Sequence, residues 1–225
     1  MSKIKTKLYL SSFLLVIIVL FAFKARQPKI LIIGDSISIG YTPFVKTHFS
    51  GKATVVHNTG NAQHTGTGLK KIEEWLGDEK WDIIQFNWGL WDLCYRHPDS
   101  KVYGNRDKIN GKITHTVEEY AANLDSIISI LRKKTKAKLI FVTTTYVPEN
   151  ESGRYTVDVE RYNDAAKPVL KKYKVLVNDI YPESIPIHKK FGKGSQDVHY
   201  SKDGYEALGK LISDFLDTEI TNLKN

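Results

Sequence analysis

The chain has 225 residues, of which 41% are hydrophobic and 26% charged, a balance that is ordinary for a globular protein with a sizeable core. Its formal charge is +8, but six basic residues lie within residues 1–29, which contain no acid, so the charge gives no support for a nucleic-acid partner. The single cysteine, Cys94, excludes an intrachain disulfide.

The N-terminal segment has the pattern of an export signal. Lys3, Lys5 and Lys7 precede an apolar run over residues 8–23. The run is short against the roughly 20 apolar residues of a typical membrane span, and no good small-residue cleavage site follows it. We therefore predict that residues 1–28 form an uncleaved membrane anchor and that a domain over residues 29–225 lies outside the cytoplasm, in the periplasm or at the cell surface. The alternative is a cleaved signal peptide and a secreted domain.

From residue 29 onwards, short apolar runs alternate with segments of helical periodicity. The first run, KILIIGD, is continuously apolar up to a glycine, which is typical of a strand buried on both faces. Five strands are predicted, over residues 29–35, 53–58, 81–87, 137–147 and 175–180.

Five helices are predicted between and after these strands, over residues 41–49, 68–77, 116–134, 157–173 and 201–216. The first has Thr42 as a candidate N-cap, followed by Pro43 at the first helical position. Thr116 and Glu119 have the spacing of a capping box. Pro168 is expected to interrupt or kink the fourth helix.

The order of these elements predicts the fold class. Strands that alternate with helices favour a flavodoxin-like three-layer α/β/α sandwich with a five-stranded parallel sheet. In such sheets the site lies beyond the carboxyl ends of the strands. One long polar segment, residues 94–115, departs from the alternation, and a loop of that length is often functional.

Polar side chains with catalytic chemistry lie at the ends of these elements. Ser36 comes just after the first strand, and Asp197 and His199 come just before the last helix. They supply a nucleophile, a base and an acid that orients the base, which are parts that acyl transfer needs. Candidate oxyanion donors follow the second and third strands, at Asn58, Gly60, Asn87 and Gly89.

The order of these blocks resembles the GDSL or SGNH hydrolases. GDS follows the first strand, NTG the second and a Gly-x-x-Asp segment the third, and an Asp/His pair precedes the last helix. The resemblance extends from residue 29 to the final helix. It implies the flavodoxin-like fold, hydrolysis of carbohydrate, lipid or small acyl esters, and no metal or other cofactor. It also implies that Ser36 is the nucleophile, that His199 is the general base, and that the N–H groups of Ser36 and Gly60 stabilise the oxyanion.

The chain departs from the family pattern at two positions. Trp91 stands where the third block of the family has an asparagine that completes the oxyanion hole, and Asn87 is the nearest substitute. The family's acid lies three residues before the histidine, where this chain has Gln196. Asp197 is two residues before His199, and because residues i and i+2 of an extended segment project to the same side, we predict that Asp197 is the acid. The alternatives are that Asn87 caps the loop backbone and that Asp197 only braces its loop.

Further residues near the strand ends are candidates for substrate binding, namely Asp35, His64, Trp88, Trp91 and Asp92. Aromatic rings there can stack on sugar rings, although aromatic side chains that close the top of the core are at least as good an interpretation. Arg96 and His97 have the chemistry to bind an acidic sugar, but nothing in the sequence requires it. No pair of histidines or carboxylates has compelling metal-binding spacing.

We therefore predict a serine esterase that hydrolyses O-acyl, chiefly O-acetyl, esters of small molecules or oligosaccharides. Its contact with the membrane is expected only through the N-terminal segment. A lipid esterase or acyltransferase at the membrane surface is the first alternative. The second is a saccharide-binding protein that has lost activity on the same fold, favoured by the missing asparagine and the shifted aspartate. A flavin carrier is a weaker alternative still.

Overall fold

The computed structural model describes residues 26–223, which form one five-stranded parallel sheet and one two-stranded antiparallel sheet. The larger sheet contains β1 (Lys29–Ile33), β2 (Thr54–His57), β3 (Ile83–Phe86), β6 (Lys138–Val142) and β7 (Leu176–Asn178); the smaller contains β4 (Tyr95–Arg96) and β5 (Lys112–Ile113). The order in the larger sheet is β2-β1-β3-β6-β7, with every pair parallel. This is the flavodoxin-like order, and the predicted fold class is confirmed.

The described residues also form six α-helices: α1 (Ser36–His48), α2 (Thr65–Leu76), α3 (Val117–Lys134), α4 (Thr156–Lys172), α5 (Tyr181–Phe191) and α6 (Lys202–Thr221). Helix α6 packs on α1 and α5, whereas α3 packs on α2 and α4, which gives the two helical layers. Ile30, Ile83 and Ile140 on the central strands are fully buried. The continuously apolar strands are therefore covered on both faces, as their sequence predicts.

Helix α1 begins earlier than its sequence predicts. Its N-cap is Asp35, whose Oδ1 atom accepts a hydrogen bond from the N–H of Ile37 over 2.9 Å. The prediction of Thr42 as N-cap is wrong, because the aspartate directly after β1 already provides the cap and the helix continues through Pro43. The Thr42 hydroxyl instead donates to the carbonyl oxygen of Ser38 over 2.6 Å, one turn back within the helix.

Other local predictions have mixed outcomes. The capping box of Thr116 and Glu119 is present at α3 and is confirmed. Helix α4 runs without interruption through Pro168. Helix α5 has no counterpart among the predicted helices. Pro182 lies in its first turn, where the missing N–H costs little.

The predicted anchor, residues 1–28, lies almost entirely outside the described residues, and its role stays a prediction. Within residues 26–223, no helix has both the length and the apolar character needed to cross a membrane.

Candidate active site

Ser36 lies at the carboxyl edge of the sheet because α1 begins directly after β1. Gly34 and Asp35 form the turn, and Ser36 is the first residue of the helix. The turn is tightly packed: a β-carbon on Gly34 would lie 2.0 Å from the Oδ1 atom of Asn87. The N–H of Gly34 also donates to Oδ1 of Asn58 over 2.9 Å, which ties the turn to the loop after β2. Neighbouring loops therefore hold the serine in place.

His199 and Asp197 approach Ser36 from the segment before α6. The Nε2 atom of His199 lies 2.9 Å from the Oγ atom of Ser36. The Nδ1 atom of the same ring lies 2.5 Å from Oδ1 of Asp197. The main-chain N–H of His199 donates to that same oxygen over 3.0 Å. The structure therefore brings the three predicted catalytic residues together in one hydrogen-bonded chain.

Asp197 favours one tautomer of the His199 ring. Burial raises the pKa of the Asp197 carboxyl, but hydrogen bonds from the main chain and the ring of His199 outweigh it, so the pKa lies below its ordinary value. The ionised carboxylate accepts a hydrogen bond from the N–H at Nδ1. The Nε2 atom then directs a lone pair towards the Ser36 hydroxyl, as general-base catalysis requires.

A second serine–histidine pair lies two residues further along the chain. The Oγ atom of Ser38 is 2.7 Å from Nε2 of His57, and it also donates to the carbonyl oxygen of Asp35 over 2.7 Å. Ser38 is fully buried, and Nδ1 of His57 faces the carbonyl oxygen of Asn58 at 2.8 Å rather than a carboxylate. Ser38 does not line the cleft that Ser36 reaches. The Ser38–His57 pair therefore ties α1 to β2.

Ser36 and His199 line a cleft of about 270 Å³. The long polar segment identified in the sequence forms part of its wall, through Arg96, Tyr103, Gly104 and Arg106. Loops after β2, β3 and β6, together with the segment before α6, contribute Asn61, Leu90, Trp91, Arg154, Asp197 and Val198. The lining combines aromatic and aliphatic surface with several hydrogen-bond donors, a combination typical of small-molecule sites.

The predicted oxyanion donors lie at different distances from this cleft. Ser36 lines it, and the main-chain N–H of Ser36 belongs to the first turn of α1, where N–H groups have no partner within the helix. Gly60 is exposed and outside the lining, and its carbonyl oxygen accepts from Nδ2 of Asn58 over 3.2 Å. Asn87 is buried beneath Gly34 and also lies outside the lining.

Asn61 is the asparagine that reaches the cleft. Its Oδ1 atom accepts a hydrogen bond from the main-chain N–H of Gln63 over 2.8 Å. Gln63 has a φ of 50°, a left-handed conformation that is uncommon for a residue with a side chain. Because Oδ1 is engaged, the Asn61 amide is oriented so that its NH₂ group remains available as a donor.

Of the predicted substrate-binding residues, only Trp91 lines the cleft. Asp35 is fully buried and caps α1. Trp88 is fully buried and donates from Nε1 to the carbonyl oxygen of Ala62 over 3.3 Å, so it closes the top of the core. His64 packs against His115, with 4.8 Å between the ring centroids, and also lies outside the lining.

Asp92 is fully buried and fixes the start of α2. It accepts hydrogen bonds from Thr65, over 3.0 Å from the main-chain N–H and 2.5 Å from the hydroxyl. Burial raises the pKa of Asp92 to about 7, although the hydrogen bonds from Thr65 oppose this rise. Nδ1 of His115 lies 3.7 Å from the carboxyl group, and burial lowers the pKa of that imidazole.

We expect Asp92→Asn to change how stability depends on pH. The pKa of Asp92 rises from 3.8 to about 7 on folding, so between these values the folded chain holds a proton that the unfolded chain has lost. The free energy of unfolding therefore falls as pH rises through this interval, by at most roughly 4 kcal/mol from this group. The variant should lose this component.

Urea titrations of both proteins at about pH 4 and pH 8 measure the effect. His115 contributes a slope of the opposite sign in both proteins, so the difference between them reports the loss of the Asp92 carboxyl together with its effect on the neighbouring imidazole. If the free energy of unfolding depended on pH equally in the two proteins, the raised pKa of Asp92 would be contradicted.

Several residues of the cleft have no role in the sequence-based prediction. Asn61 directly follows Gly60, and Arg154 lies in the loop after β6, so their position at strand ends was an available signal. The place of Arg106 depends on how residues 94–115 fold back over the sheet, which no local pattern indicates. Within residues 26–223, no group of three or more histidine, cysteine or carboxylate side chains is placed to hold a metal ion.

A serine and a histidine that are hydrogen-bonded at the carboxyl edge of a flavodoxin-like sheet define a class of serine hydrolases. The family model described as "GDSL-like Lipase/Acylhydrolase family" matches residues 32–207, which is more than half of the chain. The chain therefore belongs to the GDSL-like lipase/acylhydrolase family, and it is an ester-hydrolysing enzyme. A search of curated proteins gave no match.

Solved structures with the same fold include three esterases or acylhydrolases. A lipase/acylhydrolase from Enterococcus faecalis has a TM-score of 0.68 at 22% identity, covering 86% of this chain and 97% of its own. The acetyl xylan esterase AlAXEase has a TM-score of 0.64 at 14% identity, covering 82% and 97%. The acetylxylan esterase Axe2 from Geobacillus stearothermophilus has a TM-score of 0.63 at 19% identity, covering 82% and 92%. These similarities establish the shared fold.

Proposed function

We propose that the enzyme is a serine esterase that removes acyl groups, chiefly acetyl, from hydroxyl groups of carbohydrates. The observation that carries the proposal is the Ser36–His199–Asp197 chain of hydrogen bonds at the edge of a cleft. Trp91 and Tyr103 supply aromatic surface in that cleft, which suits a sugar ring. Two of the solved structures with this fold are acetylxylan esterases, which supports a saccharide ester as substrate.

The reaction follows from the arrangement of these groups. The Oγ atom of Ser36 attacks the ester carbonyl while Nε2 of His199 takes its proton. The Asp197 carboxylate stabilises the imidazolium that forms. His199 then donates that proton to the departing sugar oxygen, which leaves as a hydroxyl group, and the acyl group remains on Ser36. A water molecule, activated by the same imidazole, hydrolyses the acyl-enzyme.

The oxyanion formed in each step needs donors that point into the cleft. The N–H of Ser36 lies in the first turn of α1, where the helix dipole also favours negative charge. We assign a second donor to the amide of Asn61, which lines the cleft and has its oxygen held by Gln63. On this assignment Asn61, from the loop after β2, supplies the donor that the family takes from the position of Trp91.

Asn61→Ala should lower kcat for acetate release by about 10²–10³-fold, because a preorganised oxyanion donor is lost. Asn61→Asp is the matched variant: it keeps the oxygen that binds Gln63 but brings a negative charge in place of the donor, so it should be at least as impaired. Asn87→Ala tests the donor predicted from the sequence in the same assay. A large loss in Asn87→Ala with near-normal kcat in Asn61→Ala would contradict the assignment of Asn61.

Substrate profiling tests the proposal as a whole. Acetate release should be fast from acetylated oligosaccharides, and rates on p-nitrophenyl esters should fall as the acyl chain lengthens from acetyl to octanoyl. A lipid esterase would show the reverse dependence on chain length. An inactive saccharide-binding protein would bind the oligosaccharides without releasing acetate, and either result would contradict the proposal.

A further inference from the structure

The cleft contains an excess of guanidinium groups. Arg96 and Arg106 reach it from residues 94–115, and Arg154 reaches it from the loop after β6. Among the residues of the described range 26–223 that line it, Asp197 is the one carboxylate. Asp197 is already hydrogen-bonded to the ring and main chain of His199. Positive charge therefore exceeds negative charge on the surface that a substrate meets.

Two of the three arginines share a carboxylate behind the cleft. Glu151 is fully buried and forms ion pairs with Arg106 and with Arg154, the latter over 2.8 Å. It also accepts a hydrogen bond from the N–H of Gly153 over 2.7 Å. Arg154 donates from Nε to the carbonyl oxygen of Leu90 over 2.5 Å. These contacts hold Arg106 and Arg154 in place and offset one of their two charges.

Arg96 is different, because no carboxylate within residues 26–223 forms an ion pair with it. Its guanidinium carbon lies 4.8 Å from the centroid of the Trp91 ring, and it donates one hydrogen bond to the carbonyl oxygen of Gly104. Burial lowers the pKa of Arg96, and the charges of Arg154 and Arg106 contribute in the same direction, whereas the Glu151 carboxylate opposes them. A half-buried guanidinium beside two others is stabilised more by a bound anion than an exposed guanidinium is.

We propose that Arg96 binds an anionic group of the substrate, a carboxylate or a phosphate, close to the ester that Ser36 attacks. The inference rests on the proposed function and names its substrate class as acylated acidic saccharides. The cleft of about 270 Å³ is smaller than the roughly 300–1,000 Å³ of sites for drug-sized ligands. Because Arg96 and Ser36 line the same cleft, we place the charge and the ester on the same sugar residue or on adjacent ones. Trp91, whose ring lies against the Arg96 guanidinium, also lines the cleft.

Three acetylated sugars test the proposal by kcat/KM for acetate release. They are methyl tri-O-acetyl-glucopyranosiduronate, the corresponding neutral uronamide, and methyl tri-O-acetyl-glucopyranoside 6-phosphate. The wild-type enzyme should prefer at least one charged sugar over the uronamide by about tenfold to a hundredfold, as expected for a charge-assisted hydrogen bond. The charged sugar with the higher value identifies the carboxylate or the phosphate as the preferred group.

Variants of Arg96 attribute the preference to one side chain. Arg96→Gln should remove it, and Arg96→Lys should retain part of it, because lysine keeps the charge but not the fork of donors. Lys101→Gln, which removes an exposed charge from the same segment outside the cleft lining, is the matched control and should keep the ratio. Should Arg96→Gln fail to fold, the wild-type preference must still shrink as salt is raised from about 0.02 to 0.5 M.

Binding separates failure of this inference from failure of the proposed function. Calorimetric titration of the Ser36→Ala protein with methyl glucuronoside and with its uronamide needs no turnover. Tighter binding of the uronate, lost on adding Arg96→Gln, would support the anion site even if no ester is hydrolysed. Equal rates and equal affinities for charged and neutral sugars, or a preference that survives in Arg96→Gln, would overturn it.

Discussion

Ser36→Ala should lower kcat for ester hydrolysis by about 10⁴-fold or more while the protein remains folded. The expected effect is large because the Ser36 hydroxyl is the atom that forms the covalent intermediate and is 2.9 Å from its base. Residual activity should reflect only binding and the oxyanion donors. Initial rates on p-nitrophenyl acetate and on an acetylated oligosaccharide, with a thermal unfolding curve for each protein, measure the change.

Ser38→Ala is a matched control for this experiment. Like Ser36, Ser38 has its hydroxyl close to a histidine Nε2 atom, at 2.7 Å, but Ser38 is buried and lies outside the cleft. Its replacement should lower stability by about 1–3 kcal/mol, because Nε2 of the partly buried His57 loses its partner, and should leave kcat within tenfold of wild type. The account is wrong if the two variants exchange these behaviours, with activity lost in Ser38→Ala and kept in Ser36→Ala.

Asp197→Asn should lower kcat by about 10²–10⁴-fold with little effect on folding. An amide can still accept the hydrogen bond from the main-chain N–H of His199, so the loop remains braced. Because the same oxygen also faces Nδ1, the tautomer of the ring is kept, but the neutral amide no longer stabilises an imidazolium. The variant therefore separates an orienting acid from a residue that only holds the loop.

Asp203→Asn is the control for Asp197→Asn, because it removes an exposed carboxylate in the first turn of the following helix. Its kcat should equal that of the wild-type enzyme. If Asp197→Asn also retained full kcat, Asp197 would be a bracing residue and the imidazole would work without a carboxylate partner.

The alternation of strands and helices was sufficient to predict the sheet and its order. A strand as continuously apolar as KILII is stable chiefly in a sheet that is covered on both faces. The spacing of Asp197 and His199 was sufficient to predict their pairing, because residues two apart in an extended segment share a side. Both predictions depend only on residues close together in the sequence, and the structure has the sheet and the pairing that they predict.

The N-terminus of α1 shows where a local signal misleads. Thr42 and Pro43 match a helix start, yet Asp35 forms the cap because it meets the N–H of Ile37 directly after the strand. The segment therefore carries two candidate helix starts, one at Asp35 and one at Thr42. The one that lets the helix begin at the sheet edge extends the helix by seven residues and places Ser36 in its first turn.

The composition of the cleft depends on contacts between distant parts of the chain. Arg106 is held by Glu151, 45 residues away, and Arg154 by the carbonyl oxygen of Leu90, 64 residues away. Asn61 rather than Asn87 lines the cleft because Asn87 packs beneath Gly34. Such placements depend on packing and not on periodicity, so the pattern of one sequence does not reveal them.

Covalent labelling tests whether Ser36 is the nucleophile. The wild-type protein is incubated with a fluorophosphonate, which reacts with activated serines, and is then digested and analysed by tandem mass spectrometry. The account predicts one adduct per chain on Ser36, none on the neighbouring Ser38, and strong loss of labelling in Asp197→Asn. An adduct on another residue, or no adduct on a folded protein that hydrolyses esters, would contradict the assignment of Ser36 as the nucleophile.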